Sequence, residues 1–278
     1  MTTLSRKTAL DVAEIAAAAA RTEIMPRFNG AAVNDTRQKT SRFDVVTEAD
    51  EAAEAAIAKA LRERFPGALI IGEEAAERDP GLLPRLATAD LAFIVDPIDG
   101  TKNFSSGVPL FGVMIAATVR GEIALAALHD PICQDTYLAV RGEGAWRQTE
   151  ESSSALGVAM PLPVDQMHAV AGTTFLPEPL RSIVIRNLPR FAMTFWMRCA
   201  AHEYRMAAAG HCDVLMYNKL MPWDHAAGWL LHREAGGYSA HFDGTAYSPS
   251  HLSGGLLCAP DRASWEGVRE ALFEPSDQ

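Results

Sequence analysis

Apolar residues in the N-terminal part of the chain recur at the spacing of amphipathic helices. Residues 8 to 25 form an alanine-rich pattern of this kind, which Pro26 is expected to end. A second helix is predicted from Thr47 to about residue 65, before a Pro-Gly pair. Thr47 suits the N-cap, because Asp50 stands three residues later, as in a capping box. Two packing helices are therefore expected before the first buried strand.

The apolar run at residues 91–95 predicts a buried strand. The sequence Asp96-Pro-Ile-Asp99-Gly100-Thr101 follows it, and we expect the chain to turn there, with Asp96 at the strand end and Asp99 on the turn. Gly100 would let backbone N–H groups approach a ligand. Paired carboxylates beside exposed N–H groups suit a hard cation and a phosphate. Asp-Pro and Asp-Gly are also common turn dipeptides, so a purely structural turn fits this stretch equally well.

Further acidic residues follow other predicted elements. Glu73 and Glu74 come directly after a short strand predicted at residues 68–71, and we expect them on a loop. Asp224 follows Trp223 at the start of a predicted helix that a Gly-Gly pair ends. Acids at loops and helix N-termini are often only solvated charges. Taken singly, each of these positions allows a structural or a chemical role.

The middle of the chain alternates apolar runs with tight turns, which predicts a meandering antiparallel sheet. Its strands are expected at residues 111–119, 123–128 and 136–140. A polar, Ser-rich and Pro-containing segment at 148–165 then indicates a domain boundary. We predict an N-terminal α+β domain over residues 1–150 with the main acidic motifs, and a C-terminal α/β domain over 151–278 that supplies Asp224.

The composition of the 278-residue chain is that of a globular protein, with 48% hydrophobic and 22% charged residues. A net charge of −10 argues against a general electrostatic interaction with nucleic acid or anionic lipid. The cysteines lack zinc-site spacing, and acids interrupt the N-terminal apolar segment too early for a signal peptide. No run approaches the roughly 20 apolar residues of a membrane-spanning helix. A cytoplasmic enzyme without nucleic-acid or membrane partners is therefore expected.

The acidic motifs occur in a fixed order, with GEE first, then DPIDGT, then WDxAAG, and with Lys39, Asp44, Thr47 and Asp50 ahead of them. This order resembles the inositol monophosphatase family of the lithium-sensitive, Mg²⁺-dependent sugar-phosphatase superfamily, from about Lys39 to Gly237. The resemblance implies an α/β (α+β) fold, layered as an α-β-α-β-α sandwich. It also implies a phosphoric monoester hydrolase that acts on a small phosphorylated metabolite, is inhibited by Li⁺ and assembles as a homodimer.

The resemblance assigns metal ligands residue by residue. Glu73, Asp96 and the carbonyl of Ile98 match the ligands of a first Mg²⁺. Asp96, Asp99 and Asp224 match the ligands of a second one. Glu73 would also hold a weaker third ion through water, so the expected cofactor is two or three Mg²⁺ ions.

The same resemblance assigns the phosphate and the attacking water. Gly100 and Thr101 match the residues that receive the phosphate, while Asp50 and Thr101 match the pair that polarises the water. Together with Glu73 they are the expected catalytic residues. Carboxylates with two or more Mg²⁺ ions can bind a phosphomonoester, make a water more acidic and stabilise charge on the leaving alkoxide. Hydrolysis would then need no covalent enzyme intermediate.

The alcohol side of the site departs from the family pattern. Tyr217, followed by Asn218, stands where enzymes for inositol phosphates have an acid that contacts sugar hydroxyls. The substrate-lining helix begins with Arg198-Cys-Ala200-Ala instead of Gly-Ser/Thr-Ala-Ala. Arg198 could reach an anionic or hydroxyl-rich part of the substrate, or equally form a salt bridge with Glu203 or another acid. We expect Arg198, Ala200, Tyr217 and Asn218 to determine which alcohol is accepted.

Three functions fit these observations. The first is a Mg²⁺-dependent phosphatase for inositol phosphate, histidinol phosphate or another sugar or polyol phosphate. The second is a phosphatase for a nucleotide or bisphosphate, such as adenosine 3′,5′-bisphosphate or fructose 1,6-bisphosphate. The third, from a different class, is a metal- and phosphate-binding protein without catalysis. Turnover on a panel of phosphate esters distinguishes the three.

Overall fold

A computed structural model describes residues 4–28, 37–41 and 44–274. The side chains of Lys39 and Asp44 lie outside the described part. The N-terminal helices are α1 (Arg6–Ala19), continued by a π-helical turn (Ala20–Ile24) and α2 (Met25–Phe28), then α3 (Glu48–Arg64). Strands β1 (Arg37–Ser41) and β2 (Asp44–Val46) pair as a small hairpin between them.

A seven-stranded sheet occupies the centre of the N-terminal half, in the order β3-β4-β5-β6-β7-β8-β9. Strands β3 and β4 are parallel, and all later neighbours are antiparallel, which confirms the predicted meander. The elements of this segment are β3 (Leu69–Gly72), α4 (Glu73–Arg78), β4 (Ala92–Asp99), α5 (Thr101–Ser105), β5 (Gly112–Val119), β6 (Glu122–Asp130), β7 (Asp135–Val140), β8 (Gly144–Gln148) and β9 (Ser153–Ala155).

A five-stranded sheet lies in the C-terminal half, in the order β11-β10-β12-β14-β13. Strand β10 is parallel to β11 and β12, whereas β14 is antiparallel to both of its neighbours. The elements are β10 (His168–Ala171), α6 (Leu180–Asn187), β11 (Met193–Phe195), α7 (Ala200–Ala208), β12 (Val214–Tyr217), α8 (Pro222–Glu234), β13 (Tyr238–Ala240), β14 (Leu256–Ala259) and α9 (Arg262–Phe273).

The two sheets and the helices stack as alternating layers. Along β5, Val113 and Ile115 join the apolar core formed with α1 and α3, while Met114 and Ala116 join the core formed with α7 and α8. The second core reaches the C-terminal sheet, whose other face packs on α6 and α9. The order α-β-α-β-α confirms the predicted fold class. Because α8 packs on the first sheet, the division near residue 150 stays a prediction.

Three local predictions are wrong. Pro26 does not end the first helix, because Met25 bonds to the carbonyl of Ala20 in a widened π turn just before the proline. Asp96 does not end β4, since the pairing register with β5 shifts between Asp96 and Asp99 and this irregularity accommodates the proline within the strand. Glu73 is not on a loop but is the first residue of α4.

The C-terminal helix α9 has no counterpart in the sequence prediction. Its signals are nevertheless local: Asp261 caps it by accepting from the N–H of Ser264, and Trp265, Val268 and Leu272 form its buried face. The cysteines all lie in the described part and are free thiols, as expected from their spacing. Among the described residues no helix combines the length and apolar character needed to cross a membrane.

Candidate active site

A cleft of about 260 Å³ opens where α4, β4, α5, α7, β12 and α8 converge. Most of the residues that the sequence singled out line it. They are Glu73, Asp96, Ile98, Asp99, Gly100, Thr101, Arg198, Ala200, Tyr217, Asn218 and Asp224. Asp50 lies behind Thr101, buried and within hydrogen-bond distance of its hydroxyl. The fold thus brings residues from both halves of the chain to one place.

Three aspartates form the acidic end of the cleft. Asp96, Asp99 and Asp224 each offer one carboxylate oxygen, and these oxygens lie within 4.8 Å of one another. Burial raises the pKa of Asp96 well above its usual range, and the charges of Glu73, Asp99 and Asp224 raise it further. Such a group of crowded oxygen donors fits a hard divalent cation, which would relieve the repulsion between them.

The N-terminus of α7 holds Asp99 in place. The backbone N–H of Ala201 donates to Oδ2 of Asp99 at 2.5 Å, and the thiol of Cys199 donates to the same oxygen at 3.1 Å. Burial still raises the pKa of Asp99, although these donors oppose the shift. The carboxylate is therefore anchored through one oxygen to the C-terminal half of the chain.

Glu73 owes its position to a buried carboxylate on α3. Oε2 of Glu54 accepts from the N–H of Glu74 at 2.7 Å, and Oε1 accepts from the N–H of Ala75 at 2.9 Å, so that Glu54 caps α4. Gly72 makes this approach possible, since a Cβ there would lie 2.2 Å from Oε2 of Glu54. The capped helix starts at the edge of the cleft and presents Glu73 near Asp96.

Asp50 and Thr101 form a hydrogen-bonded pair beside the aspartates. The Thr101 hydroxyl lies 3.1 Å from Oδ1 of Asp50 and 2.8 Å from the carbonyl oxygen of Ile98, so its single proton serves one of them at a time. The N–H of Thr47 donates to Oδ2 of Asp50 at 2.8 Å, which completes the predicted capping box. Burial raises the pKa of Asp50 to about 6. A carboxylate with this pKa can accept a proton near neutral pH.

Gly100 makes the sharp turn from β4 into α5. Its φ of +87° is in the left-handed region, and a Cβ would lie 2.8 Å from the carbonyl oxygen of Leu110. Only glycine fits both conditions. The turn that the sequence predicted at Pro97 therefore occurs at Gly100, and it exposes the start of α5 to the cleft.

The residues expected to read the alcohol line the same cleft as the aspartates. Arg198 donates to Oδ1 of Asn103 at 2.8 Å, and Tyr217 donates to Oε2 of Glu203 at 2.9 Å. The N–H of Met197 donates to the other oxygen of Glu203, also at 2.9 Å. Glu203 is thus held by Tyr217 and Met197, and Arg198 bonds to Asn103 instead. The pairing of Arg198 with Glu203, which the sequence left open, is therefore not formed. Burial raises the pKa of Glu203 to about 7.

Other residues of the cleft region have contacts that the sequence did not suggest. Asn218 donates to the carbonyl of Phe175, and His225 is buried between the hydroxyl of Tyr204 and the carbonyl of Lys219, at 3.2 and 2.9 Å. Burial lowers the pKa of His225 to about 4, so its ring is neutral at pH 7. These contacts agree with a structural role for this histidine.

Glu54, Asn103 and Cys199 are supporting residues that the sequence reasoning missed. Glu54 could have been found, because it lies four residues after Asp50 on the apolar face of the predicted helix, where an unpaired acid would be costly. Asn103 and Cys199 carry no comparable signal. Their partners are about a hundred residues away in the chain, so only the fold shows what they hold.

The layered α-β-α-β-α sandwich places a cluster of carboxylates in a cleft between its two halves. The chain belongs to the inositol monophosphatase family, whose model matches residues 5–274. This confirms the family that the acidic motifs suggested.

Known relatives match most of the chain. The Nus factor SuhB of Escherichia coli (strain K12) is 32% identical over 244 residues, which cover 84% of this chain and 85% of the relative. The crystal structure of extragenic suppressor protein suhB from Bartonella henselae superimposes with a TM-score of 0.81 at 26% identity, covering 95% of this chain and 97% of that one. The superposition on an IMPase of Thermotoga maritima has a TM-score of 0.78 at 24% identity and covers 96% of this chain and 98% of that one. At this identity the likeness is evidence for the fold and not for the function.

Proposed function

We propose that this protein is a Mg²⁺-dependent phosphatase that hydrolyses a small phosphomonoester. The observation that carries the proposal is the cluster of Asp96, Asp99 and Asp224 oxygens within 4.8 Å, next to the Thr101–Asp50 pair. Membership of the inositol monophosphatase family supports a phosphatase fold. The metal, the roles of individual residues and the substrate are parts of the proposal.

The oxygen donors of the cleft fit magnesium in number and type. Glu73, Asp96 and the carbonyl of Ile98 would hold one ion, and Asp96, Asp99 and Asp224 a second. Glu73 would hold a third, weaker one through water. Mg²⁺ bound there would neutralise the phosphate and make a water molecule a better nucleophile.

The remaining steps fall to residues of the chain itself. Asp50 and Thr101 would orient the attacking water, with Oδ1 of Asp50 as the final proton acceptor through the Thr101 hydroxyl. The N–H groups of Gly100 and Thr101 would bind the phosphate oxygens, which leaves the single proton of the Thr101 hydroxyl for Asp50. Glu73, at the start of α4, would hold a water on the side of Asp96.

The substrate class is an alcohol phosphate small enough for the cleft. Inositol phosphate, histidinol phosphate and other sugar or polyol phosphates are the first candidates, with adenosine 3′,5′-bisphosphate and fructose 1,6-bisphosphate as the alternative. Tyr217 takes the place of the acid that contacts sugar hydroxyls, and Arg198, Lys102 and Lys219 add positive charge to the cleft wall. A second anionic group on the substrate would favour the alternative.

The assembly, the location and the inhibition of the protein are further parts of the proposal. We propose a cytoplasmic homodimer, inhibited by Li⁺, with a domain boundary near residue 150. Sedimentation velocity tests the dimer, and a titration of rate against Li⁺ tests the inhibition. A sedimentation coefficient of a 30.0 kDa monomer would contradict the dimer.

Phosphate release from a panel of esters tests the main proposal. Purified protein with Mg²⁺ should release phosphate from at least one ester, and Asp224→Asn should lower kcat at least about 100-fold, since the second ion loses a ligand. Asp165→Asn, an exposed change away from the cleft, is the matched control. Curated relatives are named as a Nus factor, a name that specifies no reaction, so turnover itself has to be measured. Calorimetry that shows binding of Mg²⁺ and phosphate without turnover would favour the non-catalytic alternative.

A further inference from the structure

Two exposed aromatic side chains stand at the mouth of the cleft. Trp196 is 43% exposed and Phe175 is 51% exposed, and both line the same cleft as Asp96 and Asp224. Large aromatic rings carry much apolar surface, which proteins normally bury. Exposed rings that line a concave site are a feature of ligand pockets.

The backbone next to Trp196 is held from two sides. The N–H of Met197 donates to Glu203 at 2.9 Å, and its carbonyl accepts from Nδ2 of Asn103 at 2.8 Å. Asn103 lies on α5, two residues after Thr101. The segment that carries the indole is therefore hydrogen-bonded to α5, the helix that begins with Thr101.

The indole lies near Gly172, the residue after β10. A Cβ at Gly172 would be in ordinary van der Waals contact with Nε1 of Trp196, at 3.4 Å. The loop that carries Phe175 is tied across the cleft through the hydrogen bond that Asn218 donates to its carbonyl. Both aromatics are thus attached to parts of the site that are fixed by hydrogen bonds or packing.

We propose that the alcohol half of the substrate carries a planar heteroaromatic ring, which stacks on Trp196 with Phe175 at its edge. This inference rests on the proposed phosphatase function and names the substrate class. A polyol presents hydroxyl groups and C–H bonds, whereas a heteroaromatic ring presents a full π face to the indole. Stacking of a base on an aromatic side chain is worth about 5- to 150-fold in affinity. Arg198 and Lys219, which line the same cleft, can donate hydrogen bonds to the nitrogens of such a ring.

The test compares selectivity between esters with and without such a ring. Values of kcat/KM are measured for adenosine monophosphate, histidinol phosphate, inositol 1-phosphate and glycerol 2-phosphate. We expect the esters with a ring to be preferred, and Trp196→Ala to lower the ratio between ring-bearing and polyol esters by about 5- to 150-fold, chiefly through KM. Trp196→Phe keeps a ring and should retain most of the ratio. Met193→Ala is the matched control, because Met193 is 48% exposed on the adjacent strand but does not line the cleft.

The outcomes separate this inference from the proposed function. If polyol phosphates are hydrolysed as well as the ring-bearing ones, and Trp196→Ala leaves the ratio unchanged, the inference is wrong while the phosphatase stands. If no ester is hydrolysed, the proposed function fails, and the inference is then decided by quenching of tryptophan fluorescence with adenosine. Quenching in the wild type that Trp196→Phe abolishes supports a ring site at Trp196. Absence of quenching in the wild type overturns the inference. If Trp196→Ala converts a dimer into a monomer in sedimentation velocity, the aromatics belong to a subunit interface and the inference is overturned.

Discussion

Replacement of Asp96 by asparagine tests the candidate metal site without an activity assay. In the metal-free protein the charge of Asp96 is unfavourable, because burial and the charges of Glu73, Asp99 and Asp224 all raise its pKa. An acid whose pKa is higher in the folded state lowers the free energy of unfolding once the pH exceeds the unfolded value near 3.9. Asparagine keeps the oxygen that accepts from the N–H of Ile98 at 3.1 Å and has no charge. Asp96→Asn should therefore raise the stability of the metal-free protein at pH 8.

Magnesium should reverse the order of the two proteins. A ligand at 100 times its Kd stabilises the folded state by about 2.7 kcal/mol, which is about 5 °C in Tm for a chain of this size. Asp96 is the residue proposed to contact both main ions, so the variant should lose most of this gain. Thermal unfolding followed by fluorescence, in EDTA and in a MgCl₂ series, measures both effects. Asp165→Asn should behave as the wild type in each buffer.

Two results would refute this reasoning. If Asp96→Asn is less stable than the wild type in EDTA, the acidic cluster is not strained by mutual repulsion. If the variant gains as much stability from Mg²⁺ as the wild type does, the ion binds elsewhere in the protein.

Three further changes test the supports of the site. Glu203→Gln should become more stable relative to the wild type as the pH rises from about 4.5 to 7, by about 3 kcal/mol in total, because the folded-state pKa of Glu203 is raised to about 7; urea unfolding across this window checks it. Arg205→Ala should lower Tm by about 6–10 °C in calorimetry, because it leaves the buried Asp130 without its guanidinium partner and Asp135 with Arg147 alone, at a cost of about 3–5 kcal/mol. Gly228→Ala on α8 should cost at least about 3 kcal/mol, since its Cβ would lie 1.9 Å from the ring of Tyr204. Gly267→Ala on α9, with its nearest neighbour at 3.9 Å, should instead be neutral or stabilising by up to about 1 kcal/mol, and unchanged stability of both variants would contradict the packing argument.

Local patterns predicted the elements of this fold well where one physical signal dominated. The capping box at Thr47 and Asp50, the meander of β5 to β8 and the position of Asp224 in the first turn of α8 all follow from short-range chemistry. The error at Glu73 has a tertiary cause. Glu73 starts a helix only because Glu54 caps it from α3, a contact that no window around residue 73 contains.

The acidic residues of the site could be selected from the sequence because their motifs are contiguous. The alcohol side could not, because it is assembled from single residues on separate elements. In the sequence, Tyr217 stands where enzymes for inositol phosphates have an acid. In the fold, its hydroxyl donates to an acid from another element, Glu203. Trp196 and Phe175 carry no motif at all, and only the fold brings them to the cleft that contains Asp96.

Helix α7 connects the two ends of the candidate site. The N–H of Ala201 donates to Asp99 at the acidic end of the cleft, while Glu203, two residues later, accepts from Tyr217 on the side expected to contact the alcohol. Arg205 ties the same helix to the first sheet by ion pairs to Asp130 and Asp135. Because one of the two donors to Asp99 is a backbone N–H and the other is the Cys199 thiol, the side chains around Cys199 can change while the backbone part of this anchor stays in place. That separation explains how Arg198 and its neighbours can depart from the family pattern while the carboxylate cluster keeps its geometry.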